Sequence, residues 1–186
     1  MSEYYFKFIV MIIKYRLISG EDEKFVRDIE IYSDSTFWDL HLAIQDACSY
    51  DAGLLTTFFL SNESWDKVQE IIYERIDAES QSQLLLMKDT KLEVFLPEAG
   101  QRYIYIYDFF SVRAFFIEIV NIRDEVEEDL KLEYPICTLS KSKAPQQIFV
   151  DELNDEDFFD DDDEDNEDIY DDDYGYEFED IDDYDF

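Results

Sequence analysis

SDSTFWDLHLAIQDACSYD, residues 33–51, is where the chain changes its period. Phe37, Leu40, Ile44, Ala47 and Cys48 recur at spacings of three and four, which lines them up as one apolar stripe on a helix. Thr36, with Asp39 three residues on, forms a capping box in which Asp replaces the usual Glu. The spacing predicts a helix from about 36 to 49. A helix with one apolar stripe needs a second layer to cover it, so the flanking segments decide the fold.

Those flanks read as strands. Residues 4–19, YYFKFIVMIIKYRLIS, are dense in β-branched and aromatic side chains at both parities, as in a strand covered on both faces. Gly20, Glu21 and Asp22 break the run, and KFVRDIEIYS at 24–33 follows, so the two predict an antiparallel hairpin. GLLTTFFLS, 53–61, predicts a third strand. VQEIIYERI, 68–76, fits strand or helix, and ESQSQ, 79–83, is a loop by composition. DTKLEVFLPEAGQ, 89–101, predicts a short helix stopped near Pro97 and Gly100. QRYIYIYDF, 101–109, alternates strictly, with Tyr103, Tyr105 and Tyr107 opposite Ile104 and Ile106. RAFFIEIVNIRD, 113–124, is another strand, and 125–147 reads as irregular connecting chain. No segment repeats. Together these predict an α+β domain, a mainly antiparallel sheet with a packed helix, in a β-β-α-β-…-β-β order that is β-grasp-like.

The C-terminal part is a different material. From Asp151 to Phe186 there are 22 acidic residues in 36 and no basic one, out of a chain net charge of −34. The other 150 residues hold 27 acidic and all 15 basic groups. The expected organisation is a domain over 1–147 and a tail over 148–186, disordered in isolation from about residue 151, because dense like charge cannot offset the entropy of ordering. Charge of this sign disfavours phosphate backbones, whose affinity comes from Lys and Arg, and anionic membrane surfaces. It favours a basic protein, with weak condensation of divalent cations on the tail. The apolar run FIVMII is far short of the ~20 residues of a membrane span. No signal peptide is evident, and the expected location is cytoplasmic.

The search for chemistry is brief. The only histidine, His41, lies seven residues before Cys48, about 10 Å away by helix rise, too far for direct proton exchange. Cys48 falls on the apolar stripe and is expected to be buried and inert. Two cysteines, Cys48 and Cys137, make no disulfide framework, and with one histidine they fall short of a zinc set. No P-loop or Gly-rich dinucleotide turn occurs. A calcium loop placed on Gly175 would need ligands where Tyr170, Tyr174 and Ile181 stand. The expectation is therefore no catalytic, cofactor or metal residue.

The segments FWDLHLAIQDACSYDAGLLTTFFL, YIYIYDFFSVRAFFIEI and YPICTL, taken in order, resemble the plasmid pRiA ORF-three-like family, whose bacterial members include insertion-element passenger proteins of the TnpR type. The resemblance covers roughly Met11 to Gln147 and is nearest to an acidic-tailed Bacteroidales branch that also carries RAFF and CTLS segments. Residues 1–10 precede that branch's usual start, which makes Met11 an alternative initiator. The resemblance implies an α+β fold and no established activity. Where the wider family continues Y-D-F with G-D-x-W-x-H, this chain has Phe110, Ser111, Arg113 and Phe115. Where it has G-W-D-x-x-H-L, this chain has Ser49, Tyr50, Asp51, Leu54 and Leu55. His41 and Asp108 are the polar positions retained.

The function expected from all this is a non-enzymatic interaction module, with an acidic tail that engages a basic protein or imitates nucleic acid. In it, Phe158, Phe159, Tyr170, Tyr174, Tyr176 and Phe178 supply apolar contacts once charge has drawn the partner in. The alternatives are a purely solubilising tail and a mobile-element-associated enzyme or nucleic-acid-processing factor with its site in the α+β domain.

Overall fold

The computed structural model describes residues 10–74 and 84–148. β1 (Met11–Ser19) and β2 (Val26–Tyr32) form the expected hairpin, with Ile13 opposite Ile31, Tyr15 opposite Ile29 and Leu17 opposite Arg27. α1 (Phe37–Cys48) follows at the change of period. β3 (Thr57–Ser61), β4 (Lys67–Ile72) and β5 (Leu85–Leu86) come next, then β6 (Arg102–Asp108), β7 (Arg113–Asp124) and β8 (Ile136–Lys141). They join one eight-stranded sheet in the order β5-β4-β3-β6-β7-β1-β2-β8. Every pairing is antiparallel except the edge pair β4·β5.

The helix covers one face of this sheet. Its stripe, Phe37, Leu40, Ile44 and Cys48, packs on Ile13, Tyr15, Leu17, Ile29 and Ile31 of the hairpin and on Phe58, Tyr103, Tyr105, Phe115 and Ile117 of the other half. Each such buried side chain contributes about 1.5–3 kcal/mol of transfer free energy. The first-turn amides of α1, which have no partner within the helix, are all accounted for. Asp39 N–H donates to the Thr36 hydroxyl (3.2 Å), and Thr36 N–H donates to the Asp39 carboxylate (2.8 Å), closing the capping box. Phe37 N–H and Trp38 N–H donate to the carbonyls of Thr90 and Met87 (3.0 Å each). The chain after β5 is thus stitched to the start of the helix. At the far end Ser49 takes the left-handed conformation (φ 58°), and Tyr50 N–H returns to the Gln45 carbonyl.

Four expectations need correction or refinement. The chain after β7 is not all irregular: ICTLSK forms β8 on the edge of β2, held by a connector in which Arg123 grips Asp129 with two bonds (2.5 and 2.8 Å). None of β8's six side chains is fully buried, so it carries no alternation to read. The first five residues of VQEIIYERI are strand, since β4 occupies Lys67–Ile72, with residues 75–76 outside the described ones, and the short helix at 89–101 is a single 3-10 turn, Leu92–Phe95. The α+β class stands, but the neighbour of β1 away from β2 is the antiparallel β7, so the sheet lacks the central parallel pair of a β-grasp. Residues 4–9, the 79–83 loop and the acidic tail lie outside the described residues.

Candidate functional site

His41 and Cys48, the pair weighed for proton exchange, lie inside the molecule. His41, on α1, is fully buried, with its ring against Trp38 (4.9 Å between centroids) and Tyr73 (5.6 Å). Its Nδ1 lies 2.7 Å from the Tyr105 hydroxyl, which also accepts from the Gln45 side-chain amide. Nδ1 is thus engaged by Tyr105, whereas the buried Nε2 has no partner at hydrogen-bond distance among the described residues. Thr56 Oγ1 approaches Nδ1 at 3.3 Å. Burial lowers the His41 pKa to about 4, with the Ala52 backbone opposing that shift in part. A fully buried imidazole that desolvation keeps neutral is a core residue. Cys48 is likewise buried on the inner stripe, and desolvation pushes its thiol up to about 12. Cys137 is exposed on β8, so a thiol reagent applied to the native protein should mark Cys137 and spare Cys48.

Asp108, the other retained polar position, ends β6 and organises the turn to β7. Its Oδ1 accepts from the amides of Phe110 (3.0 Å) and Ser111 (3.3 Å), an Asx-type turn. Its other oxygen faces Arg113 at 3.8 Å. Arg113 in turn makes two bonds to Glu21 (2.8 and 2.7 Å), and the Tyr107 hydroxyl donates to the same carboxylate (2.8 Å). The guanidinium of Arg113 holds the Glu21 carboxyl below its usual range. Charge-assisted two-point pairing of this kind fixes geometry as well as adding energy.

This network supports an unusual surface. Phe110 is wholly exposed (102%) at the tip of the turn, and Phe109 and Val112 beside it are exposed as well. Val112 has φ 52°, a conformation unfavourable for a β-branched side chain. The turn therefore spends conformational energy to hold its shape. Next to the tip lies a cavity of about 340 Å³ lined by Leu54, Leu55, Phe109, Phe110 and Ile148, with Tyr107 and Asp108 beneath. Leu55 and Ile148 are also exposed. The positions at which the resemblance expects tryptophan and histidine amid polar residues, 49–55 and 110–115, thus converge on one end of the fold and are largely apolar here. The Tyr50 and Phe115 rings stack at 6.0 Å.

Among the described residues, the basic side chains Lys14, Arg16 and Arg102 on the sheet are paired with acidic ones rather than gathered in a patch. Across β6, β7, β1 and β2 the directly opposed residues Arg102, Glu118, Arg16 and Asp28 form one row of alternating charge, with Arg102–Glu118 at 3.2 Å and Arg16–Asp28 at 2.8 Å. Lys14 pairs with Glu30 at 2.7 Å. Among the described residues no group of three or more His, Cys, Asp or Glu is placed to hold a metal ion, and no helix is long and apolar enough to cross a membrane. The six tail aromatics, Phe158, Phe159, Tyr170, Tyr174, Tyr176 and Phe178, lie outside the described residues.

The fold and its retained D-L-H and Y-D-F segments define a class. The chain belongs to the family of plasmid pRiA4b ORF-3-like proteins, whose family model matches residues 11–182. The match begins at Met11, where the resemblance placed the shared region, and runs into the acidic segment beyond Gln147. Among solved structures the chain is similar to MM3350, a protein of unknown function from Methanosarcina mazei Go1. The two are 25% identical over 74% of this chain and 72% of that one, with a TM-score of 0.59. A search of curated proteins finds no match.

The sequence exposed the buried members of this end and missed its surface. Asp108 stood out through the family motif, and the tyrosines of YIYIYD read correctly as one face of a packed strand. The tip itself, DFFSV, spans the end of one predicted strand, 101–109, and the gap before the next, 113–124, with no turn assigned to it. The signal that could have found it is two adjacent aromatics beside an Asx-type turn, since one turn cannot bury both.

Proposed function

We propose that the chain is a cytoplasmic, non-enzymatic interaction module that docks a protein with a basic face. The exposed Phe109–Phe110–Val112 tip inserts into the partner, and the acidic tail supplies the attraction. The observation that carries this is Phe110, entirely exposed on a turn that is nonetheless tied down from below through Asp108, Arg113 and Glu21. A large aromatic held on a rigid base costs little ordering entropy on binding, which is the character of an interface anchor. Charge complementarity selects the partner: 22 acidic residues from Asp151 onward attract cationic surfaces and repel anionic ones. Aromatics interspersed among those carboxylates add apolar contacts at short range.

A pull-down with the full chain, followed by direct affinity measurement on each purified candidate, tests both halves. Phe110→Ser should weaken binding at least tenfold, the scale of a modest anchor. Replacing Phe158, Phe159, Tyr170, Tyr174, Tyr176 and Phe178 by Ser should weaken it further while leaving the charge intact. A chain ending at Gln147 should lose the salt-dependent part of the affinity. A partner bound equally well by the Phe110→Ser chain would remove the tip from the interface, and one bound equally well by the shortened chain would remove the tail.

A further inference from the structure

Five arginines fall among the described residues, and four of them face a carboxylate: Arg16, Arg102, Arg113 and Arg123. Arg27 is the exception. It is 4% exposed, yet its bonds all run to carbonyl oxygens. Nε donates to Ala47 (2.9 Å), Nη1 to Val26 (3.0 Å) and Lys141 (2.7 Å), and Nη2 to Ser142 (3.0 Å). Its guanidinium also sits 4.5 Å from the Phe25 ring centroid. Four of five N–H groups are thereby used, and one Nη2 hydrogen remains. Carbonyls solvate a cation without neutralising it. The last turn of α1, which contributes Ala47, offsets only about half a unit charge. A net positive site is thus buried in a strongly acidic chain.

Above Arg27 opens a groove of about 720 Å³, within the usual range for small-molecule sites. Its walls are the end of α1 with Ser49 and Tyr50, β8 with Ser140, and a strap after β8 carrying Lys143 and Gln147. The strap is fastened on both sides. The Tyr50 hydroxyl donates to the Pro145 carbonyl (2.5 Å), while Gln147 accepts from Asp51 N–H (2.7 Å) and donates to the Asp51 carbonyl (2.9 Å). Lys143 lines the groove and makes no ion pair with a described residue.

We propose that this groove binds a small organic anion through a carboxylate or phosphate group received by Arg27 and Lys143. Arg27 supplies a fixed, planar donor and Lys143 a mobile point charge, while the hydroxyls of Ser49 and Ser140 offer neutral hydrogen bonds to the rest of the ligand. Repulsion from carboxylates farther than a Debye length of ~8 Å is screened at physiological salt, and the nearer Asp22 and Asp51 are already engaged, Asp22 by the Ser142 hydroxyl (2.6 Å) and Asp51 by the Gly53 amide (2.8 Å). The groove is independent of the hairpin tip, and neither reading requires the other.

The test is a titration of the full-length, ¹⁵N-labelled protein with inorganic phosphate and, separately, with succinate, at constant ionic strength. The expected result is a saturable shift confined to the amides of Arg27, Ser49, Tyr50, Ser140 and Lys143 with at least one of the two. Phosphate alone identifies a phosphorylated ligand, succinate alone a carboxylic acid, and both a shared anion site. Lys143→Gln, at the rim, should weaken the response roughly tenfold, the loss of one charge-assisted bond, and leave the melting temperature unchanged. Arg27→Lys keeps the charge but not the fork and should also weaken it. No saturable shift with either anion, shifts scattered over exposed lysines such as Lys24 and Lys131, or full affinity in Lys143→Gln would each overturn the proposal.

Discussion

Tyr103, Tyr105 and Tyr107 lie wholly inside the molecule, whereas Phe109 and Phe110, the next aromatics along the same stretch, lie outside it. The tyrosines carry hydroxyls yet are buried, and two of those hydroxyls are met by His41, Gln45 and Glu21. The phenylalanines carry no polar group yet face water. Hydrophobicity does not explain this reversal. Inside, the second layer decides, because Tyr103 and Tyr105 meet Phe37 and His41 of α1 and Tyr107 meets Tyr50 just past it. At the tip the Asp108 turn decides, because it fixes the backbone before the side chains can turn inward. An interior is specified by pattern, and an exposed apolar anchor is specified by a turn.

The contrast can be broken most forcefully from the inside. Phe37→Ala removes a fully buried ring that meets Phe58, Phe95 and Tyr103 edge-on or tilted at 5.3–5.7 Å. It should cost about 3–5 kcal/mol of unfolding free energy in urea titration. A much smaller loss would mean that the layer beneath the helix can collapse into the space.

The next effect is one of pH. Between its ordinary pKa and the buried value of about 4, His41 stays neutral in the folded chain and is protonated in the unfolded one. The unfolded chain binds more protons in that window, so stability should fall as pH drops from about 6.5 to 4. The drop from this group is about 3 kcal/mol, as an upper estimate. His41→Gln should show a shallower decline over the same range, and an identical decline would assign it to other groups. Thr36→Ala, which opens the capping box, should cost about 1 kcal/mol. Phe110→Ser should change stability by less than about 0.5 kcal/mol, as expected for an exposed position. A large loss there would mean that the tip is structural after all.

Legibility in the sequence followed burial. The β1–β2 hairpin, α1 with its Thr36–Asp39 cap, and β6 and β7 were readable because each presents a buried face, and a buried face imposes a period. β8 was invisible because all six of its side chains are partly or fully exposed. β4 was ambiguous because Lys67, Val68 and Gln69 are exposed and only Ile71 is buried. The central antiparallel pairing of β1 with β7 has no local signature at all, since the partners are roughly a hundred positions apart. For the candidate site the same rule holds in reverse. Cys48 was legible as a buried residue from its place on the helix stripe, but the stripe did not include His41, and an exposed groove over Arg27 or an exposed Phe110 imposes no period.

The position of β1 in the middle of the sheet carries a cost in time. As the chain leaves the ribosome, β1, β2 and α1 emerge early, but both outer neighbours of that hairpin, β7 and β8, are encoded in the final stretch of the domain. At usual synthesis speeds about 4–16 s separate Tyr32 from Arg113. Throughout that interval the apolar hairpin has two open edges, the arrangement by which nascent strands join those of a neighbouring chain. The domain's last two strands are what end that exposure.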